Sequence, residues 1–268
     1  MSQLRKTFGR SAAPVIEELE ARGATVVTAD EIAAIKRVPA DSPVLRALIK
    51  RLKANGWLVP MAARSTYEFV PLRVGASASG DELRELEALA REPNAPPFQL
   101  ALRSAAFMRG YAETAPAVTY MLMSKRASRR PPGLQRRFRV IRTDPSRLFG
   151  AKPLNAKSRV PVSTPARLFI DVALYWQEAG DLRARDHWLA AAARDANVKD
   201  AAAWARQLGP SVVSRVGFLA DRFGAPELAK RLAPHVARRA VASFGPRGQG
   251  TYDARWHVYD AMGIARQR

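Results

Sequence analysis

Apolar residues recur at helical spacing through the first third of the chain, and the polar positions between them are largely basic. Val15, Ile16 and Leu19 share one face of a helix predicted over 14–21, which Gly23 ends. Thr25-Val26-Val27 is a short β-prone run. Thr28 and Glu31 have capping-box spacing: a hydroxyl takes a free amide of the first turn, and a carboxylate reaches back to the cap. They predict a second helix over 29–37 that buries Ile32 and Ile35 and stops before Pro39. Ser42-Pro43 joins a capping hydroxyl to a proline suited to the first helical position. The third helix runs to about Ala54. It carries Leu45, Leu48, Ile49 and Leu52 on one face and Arg46, Lys50 and Lys53 on the other, with Arg51 flanking them. Asn55-Gly56 closes it. Residues 57–61 and 66–70 then read as two strands around a turn at 62–65.

Three helices followed by a hairpin is the order of a winged helix-turn-helix, assigned here to residues 1–75. In that fold the third helix enters the major groove and the hairpin touches the adjacent backbone. The DNA-facing candidates are therefore Ser42, Arg46, Lys50, Arg51 and Lys53, with Arg64 at the hairpin tip. Arginine can pair with guanine O6 and N7, and lysine neutralises phosphate. Arg5 and Lys6 form a basic arm that could reach a minor groove. The plainer readings stay open: a solvated basic face for the helix, and an unstructured tail for the arm.

A small-residue stretch at 75–80 predicts a linker. Beyond it, residues 76–176 read as a basic α+β domain. Helices are expected over 81–91, within 98–111 and from Ser163-Thr164-Pro165 onward, with strands at 118–123, 136–142 and 160–162. A basic, proline-containing loop with Arg126, Arg129 and Arg130 joins the first two of these strands and could lie on phosphates, on an acidic protein or in solvent. Asp171 lies in an apolar helix. It is either catalytic or paired with Arg167 one turn back. Residues 177–268 read as a helical subdomain, with helices over 181–196, 199–208, from Pro210 and from Pro226. Leu228, Leu232 and Val236 are expected to face inward, and Trp256 and Tyr259 to pack on the core. The overall class expected is α+β.

Charge sharpens this picture. The 268 residues include 44 Lys and Arg against 24 Asp and Glu, a net charge of +20. Such an excess points to a polyanionic partner. The middle third is the most basic, with 17 basic and 8 acidic residues between 76 and 175. The absence of cysteine excludes disulfides, thiol catalysis and Cys-bound metals, and three scattered histidines leave little for a metal site. No apolar run has membrane-spanning length and no signal-peptide pattern opens the chain, so a cytoplasmic location without a membrane partner is expected. The glycine loop at 244–250 lacks the Lys-Ser/Thr of a phosphate-binding loop. Asp186 and His187 are adjacent on a predicted helix, about 100° apart, and so form no dyad. No catalytic motif is legible and no cofactor is expected. The chain is therefore read as a non-enzyme.

Several stretches together resemble AbiEi-type antitoxins, the transcriptional regulators of type IV toxin–antitoxin systems of prokaryotes. They are Ser42-Pro43 to Trp57, the hairpin ending at Tyr67–Pro71, residues 102–110, residues 162–171 (Val-Ser-Thr-Pro-Ala-Arg-Leu-Phe-Ile-Asp), and residues 214–219 (Ser-Arg-Val-Gly-Phe-Leu). Family members often carry Arg-Gly before the hairpin tyrosine, where this chain has Ser65-Thr66. The resemblance implies a winged helix that represses its own operon, and a C-terminal part that supports DNA binding and neutralises a nucleotidyltransferase-like toxin. Two other functions stay open: a nucleic-acid-processing enzyme with a winged-helix targeting module, and a basic protein-binding module.

Overall fold

The structure is a computed structural model, and it describes residues 11–61, 63–71, 82–92, 94–126, 138–156, 158–184, 187–237 and 239–266. It is a mixed α+β protein whose chain separates into two units. One holds residues 1–96 with 128–137 and 157–159. The other holds the remainder.

In the first unit the local signals act where they were expected. Helices α1 (Ala13–Ala21), α2 (Ala29–Lys36) and α3 (Pro43–Ala54) pack around Val15, Ile16, Ile32, Leu45, Leu52 and Trp57. The Thr28–Glu31 capping box forms in both directions, at 3.2 and 2.8 Å. Ser42 caps α3 by accepting the Leu45 amide at 3.2 Å. Strands β1 (Val26–Thr28), β2 (Leu58–Pro60) and β3 (Thr66–Phe69) form an antiparallel sheet in the order β1-β3-β2. One face of that sheet contributes Val27, Leu58 and Phe69 to the helical core, where Trp57 stacks on Phe69.

The other face is covered by α4 (Glu82–Arg91), which sets Ala88 against Val26 and Ala63. Charge pairs fasten this cover. Arg84 meets the buried Glu68 of β3, and Arg91 meets Glu31 at 2.5 Å. The sequence reading divides the chain after 75 and places α4 in the next domain, whereas the contacts hold α4 with the sheet. The reason is that β3 is buried on both sides. Its residues Thr66, Glu68 and Phe69 are buried, which requires a layer on each face.

The second unit is built on a mixed sheet of five strands: β4 (Phe98–Leu100), β5 (Thr119–Ser124), β6 (Phe138–Thr143), β7 (Ala151–Lys152) and β8 (Val162–Ser163), in the order β6-β5-β4-β8-β7. Strands β5 and β6 run parallel. Helix α5 (Leu102–Met108) and helix α6 (Pro165–Leu174) lie against this sheet. Every residue of α6 from Ala166 to Ala173 is buried, as befits a helix that is apolar nearly all round. Helices α7 (Trp188–Ala193), α8 (Val198–Leu208) and α9 (Pro210–Arg222) pack on α6, and α10 (Pro226–Leu232) packs on α8 and α9. This packing crosses residue 176, where the sequence reading sets a boundary.

Three details correct the C-terminal expectation. The helix expected over 181–196 is present only as α7. The Asp181 carboxylate takes the Arg183 amide in a turn, and the His187 ring takes the Leu189 amide, which starts the helix at Trp188. Helix α10 stops at Leu232, so Val236 lies beyond it, only half-buried, after a short 3₁₀ turn. The region is also not purely helical. Strands β9 (Ala242–Phe244), β10 (Thr251–Asp253) and β11 (Val258–Asp260) form a small sheet in the order β10-β11-β9. Trp256, fully buried beside it, fills the space where Gly217 of α9 has no side chain. A Cβ there would come within 1.9 Å of the indole.

Candidate nucleic-acid interface

Helix α3 sorts its side chains by chemistry. Leu45, Leu48, Ile49 and Leu52 are buried, while Arg46, Lys50, Arg51 and Lys53 are exposed. Arg51 donates to Ser11 Oγ at 2.8 Å and so braces α3 against the start of α1. The side chains of Arg46, Lys50 and Lys53 make no hydrogen bond or ion pair among the described residues. The sequence of α3 contains no carboxylate, and Asp41 lies just before its cap. The outermost surface between the cations is short: Pro43, Ala47 and Ala54 are all exposed. A helix with short residues on its crest and long cations on its flanks can approach a groove closely while its charges reach the walls.

Ser42 spends its acceptor on the Leu45 amide, which leaves its hydroxyl proton to donate. Arg64 is exposed in the turn between β2 and β3, next to Ser65, whose φ of 55° is left-handed. The Ser65 carbonyl accepts the Ala29 amide at 2.8 Å, which ties the hairpin tip to the start of α2. Thus α3 and the hairpin bring Ser42, Arg46, Lys50, Arg51, Lys53 and Arg64 together in one unit. Arg126 belongs to the other unit, where it is exposed after β5 with its amide on Ser124 Oγ at 3.2 Å. Arg5, Lys6, Arg129 and Arg130 lie outside the described residues. Val44, exposed in the first turn of α3, is absent from the sequence-derived set. Its one signal was an aliphatic residue lying off the buried stripe of its helix.

Several exposed cations of the second unit differ from Arg46, Lys50 and Lys53 in being engaged. Lys125 meets Asp144 at 2.7 Å, and Arg139 meets Glu178 at 2.5 Å. The lysine and the Ser146 amide hold the Asp144 carboxyl below the usual carboxylate range.

The motif residues of α6 form a buried network. Arg167 Nε donates to Asp171 Oδ1 at 2.8 Å, and both side chains are 0% exposed. Ser163 donates to Asp171 Oδ2 at 2.7 Å, Gln99 donates to Ser163 Oγ at 3.1 Å, and the Arg167 guanidinium lies over the Phe149 ring. Burial pushes the Asp171 carboxyl up, against the pull of Arg167 and Ser163. Of the two roles left open for Asp171, pairing with Arg167 is the one seen. In α9, Arg215 bonds the carbonyls of Ser243 and Ala173 and so clasps β9 to the end of α6. These arginines hold pieces of one fold together. Among the described residues no group of three or more His, Asp or Glu side chains could hold a metal ion, and no helix is long and apolar enough to cross a membrane.

Comparison with known proteins adds two findings. Residues 99–222 match the family model of the AbiEi antitoxin C-terminal domain. That span begins in β4 and ends with α9, so it covers the five-stranded sheet and the helices packed on it. The fold as a whole is similar to the crystal structure of the RV2827C protein from Mycobacterium tuberculosis, with a TM-score of 0.68 and 21% identity over 98% of this chain and 96% of that one. No curated protein matches the sequence.

Proposed function

From the match of residues 99–222 to the AbiEi antitoxin C-terminal domain, we propose that this chain is a DNA-binding antitoxin that represses its own operon through a winged helix in its N-terminal unit and opposes a nucleotidyltransferase-like toxin. The observation that carries the DNA-binding half is the exposed face of α3, where Arg46, Lys50 and Lys53 stand without partners among the described residues. Leaving three cations unpaired on one face disfavours the free surface by mutual repulsion. A polyanion that meets all three reverses that balance.

The element order α1-β1-α2-α3-β2-β3, with the hairpin joined to β1 through β3, supports the winged-helix reading. Helix α3 then enters the major groove. Arg46 and Lys50 meet base edges or phosphates, Lys53 and the Ser42 hydroxyl meet phosphates, and Arg51, held by Ser11, adds a fixed cation at the rim. Arg64 on the hairpin reaches the adjacent backbone or minor groove. Arg126 adds sequence-independent phosphate contact, and Arg5, Lys6, Arg129 and Arg130 are assigned the same kind of role from their charge.

Binding to the DNA upstream of the gene, followed by fluorescence anisotropy between 50 and 200 mM salt, tests this. The expected result is a log–log slope of about −0.9 for each phosphate neutralised. Failure to bind any duplex at the lowest salt would overturn the DNA-binding half. For the antitoxin half, co-expression should relieve the growth arrest caused by a nucleotidyltransferase encoded beside the gene. Cleavage of DNA or RNA on adding Mg²⁺ would instead favour a nucleic-acid-processing enzyme.

A further inference from the structure

We propose that Val44 reads the methyl group of a thymine in the major groove and so is a base-specificity residue of α3. This rests on the DNA-binding reading above.

Large apolar side chains exposed among the described residues are few: Val44, Val241 and Tyr252, and Val44 is the most open of them at 56%. It sits beside Leu45, which is buried, so the sequence does not lack a place to hide an aliphatic residue here. At 3.6 residues per turn, Val44 lies within about 20° of Arg51 around the helix axis and one turn before Ala47 on the same side. Arg51 and Ala47 are both exposed. The branched methyls of Val44 therefore stand beside Arg51 and near the short Ala47, on the flank of the exposed surface opposite Arg46 and Lys53.

That setting specifies the partner. An apolar group gains by being covered, whatever covers it. Here the cover must accept an aliphatic contact next to one cation, Arg51, with Lys50, Arg46 and Lys53 across the short crest of the helix. The thymine C5-methyl is the apolar feature of the major-groove floor, and phosphates line the groove on both sides. A protein surface would need an apolar pocket rimmed by carboxylates to do the same. The chain's net charge of +20 favours the nucleic acid. Valine also costs little to order, because its branched side chain is stiff at χ1.

The test uses the full chain and a duplex selected by it from a random library. Each thymine is replaced in turn by 2′-deoxyuridine, which removes the methyl and nothing else. For the wild type, the expected result is one position at which the replacement weakens binding about fourfold, the value of one buried methyl group. Val44→Ala should bind the thymine duplex more weakly and lose the thymine–deoxyuridine difference at that position. Val44→Thr, which keeps one methyl, should retain most of it. The salt slope should stay unchanged in both variants, because no charge is altered. A Val44→Ala protein with the full difference overturns the assignment, as does a wild type indifferent to every replacement while still binding DNA. A change in oligomeric state with the difference intact would assign Val44 to a contact between copies instead. Failure of the wild type to select any duplex removes the DNA-binding reading itself.

Discussion

Helix α3 starts at Ser42-Pro43 and helix α6 at Thr164-Pro165. In both, a hydroxyl takes an amide of the first turn, a proline fills the first helical position, and an arginine follows within two turns. Arg46 of α3 ends in solvent with no partner among the described residues, while Arg167 of α6 ends fully buried on Asp171. The difference lies in what shares the helix with the arginine. Helix α3 offers three further cations and no carboxylate, so its polar face can only turn outward. Helix α6 offers a carboxylate one turn on and apolar residues elsewhere, so its one charge can be matched inside. A buried charge needs its partner inside the same fold. An exposed one has to find it in another molecule.

The comparison breaks most readily at Arg167. Arg167→Ala leaves Asp171 buried and unmatched, and should cost about 3–5 kcal/mol in urea unfolding. Replacing both residues with apolar ones (Arg167→Met with Asp171→Leu) should recover most of that loss. Equal losses in the single and double variants would show that the pair is not what holds α6 in place.

A second buried ionisable group sharpens the contrast by pH. Burial between Trp188 and Phe223 lowers the His187 pKa from 6.5 to about 4, and its ring works as a neutral cap, with Nδ1 accepting from Leu189 and Nε2 donating to Ala179. The unfolded chain binds this proton more readily than the folded one. The stability is therefore complete above about pH 6.5 and is lost as pH falls toward 4, by roughly 3 kcal/mol. His187→Asn keeps a capping acceptor and should flatten this part of the stability–pH curve. Thermal melts of both proteins from pH 7.5 to 4 decide it.

For α3 the expectation is the reverse of that for α6. Arg46→Ala or Lys50→Ala should leave the urea midpoint unchanged, and should weaken DNA binding by about 1–3 kcal/mol where a base is read. A loss equal for all sequences, with the salt slope reduced by about 0.9, would make the residue a phosphate contact. A shifted midpoint would mean that the side chain is part of the fold. The smallest effect expected is at the hairpin tip. Ser65 holds a left-handed φ of 55°, so Ser65→Gly should stabilise the protein by up to about 1 kcal/mol in the same urea assay.

Much of the first unit was legible because its signals are local. A cap and its amide lie within four residues, and so do the members of an apolar stripe. Hence α1, α2, α3 and the hairpin could be read off directly, and in the second unit the Arg167–Asp171 pairing stood as one of two readings of Asp171. The cationic face of α3 was legible for the same reason, while Val44 carried only a weak signal, an aliphatic residue off the Leu45–Leu48–Ile49–Leu52 stripe. The small sheet of β9, β10 and β11 escaped because three-residue strands hold too few alternations to show a period. The parallel pairing of β5 with β6 escaped because no residue in either strand states its direction.

By itself the sequence determined where α1, α2 and α3 begin and end, which of their faces is apolar, and the excess of positive charge, since each depends on neighbours along the chain or on counting. Only the tertiary structure decided which charges are enclosed and which stand open. Gln99 meets Ser163, Arg109 meets the carbonyls of Val162 and Ser163, and Arg215 meets Ala173 and Ser243, each across tens of residues. Enclosure depends on groups brought together from distant parts of the chain, and no local spacing encodes their meeting.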